Sequence, residues 1–133
     1  MIDAESAIYS TISGVFKEHY PNGSQYGEEV DSPAKFPCMV LIESDNYTHE
    51  ASLDAEMQEH NANLMYTLDI YSNKTSGAKQ ECKEILSLLD QAMQNLGFVR
   101  TTCLPTRNQD RKIYRITARY RAVISEEYRI YRR

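Results

Sequence analysis

The sequence contains no tryptophan, and only three cysteines, three histidines, five glycines and four prolines among 133 residues. Cys38, Cys82 and Cys103 are an odd number with no C-x-x-C spacing, so neither a disulfide framework nor a thiolate metal site is expected. The natural reading is reduced, buried thiols in a cytoplasmic setting. His19, His49 and His60 never stand four residues apart, and none has a cysteine at metal-ligand spacing, so no metal ligand is assigned. No apolar run approaches the roughly 18 residues of a membrane span, and no membrane partner is expected. The opening MIDAES lacks a basic stretch followed by an apolar one and predicts no secretory leader. The three N-x-[ST] matches at Asn22, Asn46 and Asn73 are accordingly read as chance. There is no G-x-S-x-G, no Ser-His-Asp set and no G-x-x-x-x-G-K-[ST] loop. Hence no catalytic or cofactor-binding residue and no cofactor is assigned, and an enzyme is not expected. Ser76-Gly-Ala-Lys79 reads as a helix start, and Asp69 as polar decoration on the outer side of a strand, with no identifiable pair.

What the sequence does have is tyrosine and an uneven charge. Ten tyrosines suit half-buried sheets and interfaces, because the ring buries area while its hydroxyl stays polar. The net charge is −4, but residues 1–60 hold two basic and twelve acidic side chains (−10), whereas residues 61–133 hold thirteen basic and seven acidic (+6). Such a chain neutralises itself or presents opposite signs on different surfaces.

The length fits one domain, 1–133. A first helix is expected to start at Asp3 and carry Ala4, Ile8, Ile12, Val15 and Phe16 at helical spacing, ending at Tyr20-Pro21-Asn-Gly. Residues 21–37 read as a loop, and Cys38–Ile42 as a short buried strand. Residues 45–62 are polar and acidic with no clear period. Leu64–Tyr71 alternates as a half-buried strand. The clearest helix is 78–96, with Cys82, Ile85, Leu86, Leu89 and Met93 in one stripe and Gly97 just past its end. Strands at about 98–104 and 111–124 follow. The order α-β-β-α-β-β predicts an α+β fold: one roughly four-stranded, mostly antiparallel sheet with two helices packed on one face.

The last strand carries the question of function. In KIYRITARYRAVI, Tyr114, Ile116, Ala118, Tyr120, Ala122 and Ile124 share one parity, and Arg115, Thr117, Arg119 and Arg121 the other. Alternate strand residues point to opposite faces, so an arginine face is expected to turn away from the helices. Single-strand nucleic-acid binders set aromatics beside their cations, and here the tyrosines lie on the opposite parity. A merely solvated face leaves the like charges repelling one another. An acidic surface on a neighbouring copy relieves that repulsion. The acids available are Glu28, Glu29 and Asp31 in one segment, and Asp45, Glu50, Asp54, Glu56 and Glu59 in the other. Contacts of this kind are head-to-tail and close into rings.

The stretch YTLDIYSNKTSGAKQECKEILSLLDQAMQNLGFVRT, followed by DRKIYRITARYRAVI, resembles the tail terminator or tail-completion proteins of long-tailed bacteriophages, a family also described as minor capsid or head–tail joining proteins. The resemblance covers roughly residues 64–124: the strand Tyr66–Ser72, the turn Asn73-Lys74, the helix with Lys79 and Lys83, the Gly97-Phe98 step and the strand ending Arg119-Tyr120. It implies a non-catalytic virion protein whose copies form a ring, in the family a hexamer, on the head-proximal end of the tail tube. Its implied partners are further copies of itself, the tail tube protein and the head connector, with the genome passing through the lumen without sequence recognition. Two alternatives remain open: a head-completion protein on the connector side, and a nucleic-acid-binding α+β module.

Overall fold

In a computed structural model the described residues are 2–30, 33–48, 61–107 and 110–125. The element order is α1 (Glu5–His19), β1 (Ser24–Tyr26), β2 (Cys38–Thr48), β3 (Asn61–Ser72), α2 (Ala78–Leu96), β4 (Val99–Thr106) and β5 (Tyr114–Ser125). The fold is α+β, but the sheet has five strands in the order β1-β2-β3-β5-β4. The β1–β2 pair is parallel and the other three are antiparallel, so the sheet is mixed.

The extra strand lies inside the segment expected to be a loop. Gly23 makes it possible: a Cβ there would sit 2.5 Å from the Pro37 carbonyl oxygen, the acceptor of the Ser24 N–H at 3.0 Å. Only glycine lets the two backbones approach this closely. β2 also runs further than expected, through Asp45 to Thr48. A bulge between Glu43 and Asp45 interrupts its alternation and hides the continuation.

Both helices cover the same face. α1 lies over β1 and β2, α2 over β3, β4 and β5, and the helices touch along their sides. Ile8, Ile12 and Phe16 of α1 and Cys82, Ile85, Leu86, Leu89 and Met93 of α2 are buried against Leu64, Tyr66, Leu68, Ile70, Ile116, Ala118, Tyr120 and Ile124. The apolar parity of the last strand therefore meets the stripe of the second helix, as its spacing predicts. α1 begins one residue later than an Asp3 cap would place it. The Asp3 carboxylate instead accepts from the Glu5 N–H at 3.2 Å, with Ala4 at the cap. α2 ends on Gly97, whose φ of 102° is open to glycine with little strain.

One buried acid interrupts the α2 stripe. Asp90 accepts from the Tyr120 hydroxyl at 2.7 Å and the Gln94 amide at 2.6 Å, and pairs with Arg100 at 3.2 Å. Burial first, and then the hydrogen bond to Asp90, raise the Tyr120 pKa above its ordinary value. The site ties helix to sheet.

Candidate interaction surface

On the face away from the helices, the strand register lays side chains in rows across the sheet. The first two rows are Cys38–Tyr71–Arg115–Thr106 and Val40–Asp69–Thr117–Leu104. The next two are Ile42–Thr67–Arg119–Thr102 and Asp45–Met65–Arg121–Val99. Tyr47–Asn63–Val123 follows. Residues directly opposite in a ladder share a face, so every member of these rows points the same way.

The first rows are finished within the chain. Cys38, Val40 and Tyr71 are buried, with Tyr26, Val30, Phe36, Ile42 and Ile113 packed on them. Arg115 donates its Nε–H to Asp69 Oδ1 at 3.0 Å, and its guanidinium lies 5.3 Å from the Tyr71 ring centroid. The bond to Asp69 raises the Arg115 pKa still further. Thr117 also donates its hydroxyl to Asp69 Oδ1, which leaves Thr106 to donate to Thr117 at 2.6 Å. Asp69 is 4% exposed. Its reading as surface decoration is corrected: a buried carboxylate without donors is costly, and here two donors converge on it. Arg115 is corrected with it. Its charge is neutralised by its own chain, so it is not a free cation for a neighbour.

The remaining rows are different. Arg119 and Arg121 are exposed. Thr67 and Met65, which lie opposite them on β3, carry no charge. Among the described residues neither arginine has an ion-pair partner. Beside them lie exposed large apolar side chains: Val99 at 41% in the Arg121 row and Tyr47 at 50% in the next, while Leu104, at 52%, ends the Asp69 row at the β4 edge. Asp45 is exposed on the same face, two strands from Arg121 in the same row. β4 is the sheet edge here, and most of its residues are exposed.

The acidic residues divide between described and undescribed segments. Glu28 and Glu29 are exposed and line a cleft with Glu5, Tyr9 and Tyr26, beside β1 at the opposite edge of the sheet. Asp31, Glu50, Asp54, Glu56 and Glu59 lie outside the described residues. The structure thus sets Arg119 and Arg121 near one edge and Glu28 and Glu29 at the other. Sequence parity found the arginines. The apolar side chains of β4 escaped it, because a strand exposed on both faces has no alternation to read.

Among the described residues no three His, Cys, Asp or Glu side chains gather as metal ligands. Burial holds the Cys38 thiol up at about 11 and Cys82 at about 12, which keeps both protonated and unreactive. Among the described residues no helix is long and apolar enough to cross a membrane. No family model matches this chain, and no curated protein matches it.

Proposed function

We propose that this protein is a structural subunit of a phage or phage-tail-like particle, a tail terminator. Its copies form a ring on the head-proximal end of the tail tube, end tube growth and offer a docking face to the head connector. One observation carries the reading: the outer sheet face is closed at one end by its own side chains and open at the other. The open end exposes Arg119 and Arg121 with Val99 and Tyr47 in the same and the following row. Arginine and aromatic side chains with apolar neighbours are the composition of a buried interface rather than of a solvated rim. The likeness of residues 64–124 to tail terminators supplies the setting and the sixfold ring.

The surfaces that meet are named by charge and position. Arg119 and Arg121 near the β4 edge of one copy face Glu28 and Glu29 at the β1 edge of the next. Surfaces of opposite sign on opposite edges join head-to-tail, and such contacts close into a ring when the rotation permits. The charges set register and partner choice, while Val99, Leu104 and tyrosine area supply most of the affinity. Capping then consists of covering the tube edge that the next tube ring would use.

The test is binding of the purified protein to tail tubes and, separately, to empty head connectors. A ring at the tube tip that blocks further polymerisation is the expected result. Binding to connectors alone moves the protein to the head side of the joint, and binding to neither ends the proposal.

A further inference from the structure

At the end of the molecule where β3 gives way to α2, a second cleft opens, distinct from the face just described. It encloses about 570 Å³ and is lined by Asn73, Lys74 and Thr75 from the β3–α2 turn and by Arg111, Lys112 and Tyr114 from the approach to β5. Three of its lining residues are cations and none is an acid; Lys74 is paired with Glu81, so Arg111 and Lys112 supply the free charge. The chain as a whole carries −4, so composition alone does not produce this imbalance.

The cations are positioned rather than scattered. Lys74 is held at the lip by Glu81 at 3.0 Å, and the Glu81 carboxylate also accepts from Ser72 at 2.7 Å. Asp110 is turned into its own backbone: its carboxylate accepts the Lys112 N–H at 2.9 Å and its carbonyl the Ile113 N–H at 3.1 Å. That tight turn projects Arg111 and Lys112, both exposed. Among the described residues neither has an ion-pair partner. Thr75 and Asn73 add neutral donors beside the charges.

Lysine, arginine, threonine and asparagine side chains are among those that contact phosphate oxygens. Base stacking would need an open aromatic platform. The one lining aromatic, Tyr114, packs against the core instead. We propose that this cleft grips the phosphodiester backbone of duplex DNA. The inference goes beyond the capping role and stands whether or not the protein ends a tube.

Fluorescence anisotropy with a labelled duplex at low salt tests it. Binding is expected to weaken, with log affinity falling linearly against log salt, to the range of non-specific contacts, about 10⁻⁴–10⁻⁶ M, at physiological salt. Arg111→Glu with Lys112→Glu should lower affinity at least tenfold and flatten the salt slope by about 2, two phosphate contacts being removed. Arg111→Gln with Lys112→Gln should act in the same direction, and thermal melts establish that both variants fold. Lys17→Glu with Lys35→Glu makes the same change of net charge at exposed sites elsewhere, and should leave the slope unaltered. Equal loss in that control, no binding by the unaltered protein, or displacement by inorganic phosphate at constant ionic strength would each overturn the proposal.

Discussion

Arg115 and Arg119 are the same residue type, four positions apart on one strand and pointing to one side, yet their fates are opposite. Arg115 has an acid within reach, because the register places Asp69 one row away on β3, and the Tyr71 ring opposite it. Arg119 faces Thr67, and Arg121 faces Met65. The β1–β2 connection covers the first end of the sheet with Tyr26, Val30 and Phe36. Nothing among the described residues covers the second. Whether a charged strand face is structural or available to a partner is decided by what the neighbouring strand carries, not by the charge itself.

Thiol labelling should show the contrast most strongly. Cys38 is buried beneath the closed end, and Cys103 is exposed on β4. In the native protein one thiol per chain, Cys103, should react at once. Cys38 and Cys82 should wait for opening of the structure, slower by a factor on the order of 10³ or more. Rapid reaction of Cys38 would mean that the covered end is not closed.

Asp69→Ala should be the most destabilising change on this face. It strands Arg115 and Thr117 and should cost about 2–3 kcal/mol in urea unfolding, given that Arg115 is partly solvated. Arg119→Ala and Arg121→Ala should each stay within about 0.5 kcal/mol. Comparable costs at all three sites would erase the distinction. Converting the open end towards the closed one should have a smaller effect. Thr67→Asp puts a carboxylate directly opposite Arg119 and should stabilise the monomer by about 0.2–1 kcal/mol, the range of a cross-strand ion pair. It should also weaken self-association.

The mildest effect belongs to the helix-covered face. Burial, and less so the nearby acids Glu5 and Asp3, raise the Glu43 pKa above its ordinary value of 4.5, while the Tyr66 hydroxyl bonded to it at 3.2 Å opposes the shift. A carboxyl that binds its proton more tightly when folded stabilises the fold below its ordinary value. That contribution is lost as pH rises through the raised one. Glu43→Gln should therefore be slightly more stable than the unaltered protein at neutral pH and equal to it in acid. A variant less stable at neutral pH would show that the ionised carboxylate is well accommodated.

Much of the scaffold can be read directly from residue spacing. The α2 stripe and Gly97 give that helix its observed limits, because a long clean 3.6-residue period leaves few alternatives. Leu64–Tyr71 and the last strand alternate plainly, which places the arginines on the outer face. Three features resist such reading. β1 has three residues in a parallel edge pairing, too short for any period. The continuation of β2 is masked by its bulge. The Asp69–Arg115 pair joins residues 46 positions apart, and only the β3–β5 register brings them together. That last gap matters most for the site, since it separates one paired arginine from two that have no ion-pair partner among the described residues.

The most direct test is the solution mass of the assembled protein, alone and on tail tubes, for the unaltered chain and for Arg119→Glu with Arg121→Glu. The account predicts a ring for the first and monomers for the second, with rings restored when Glu28→Arg and Glu29→Arg are added to the double variant. A charge-reversed protein that forms the same ring without that compensation would contradict it.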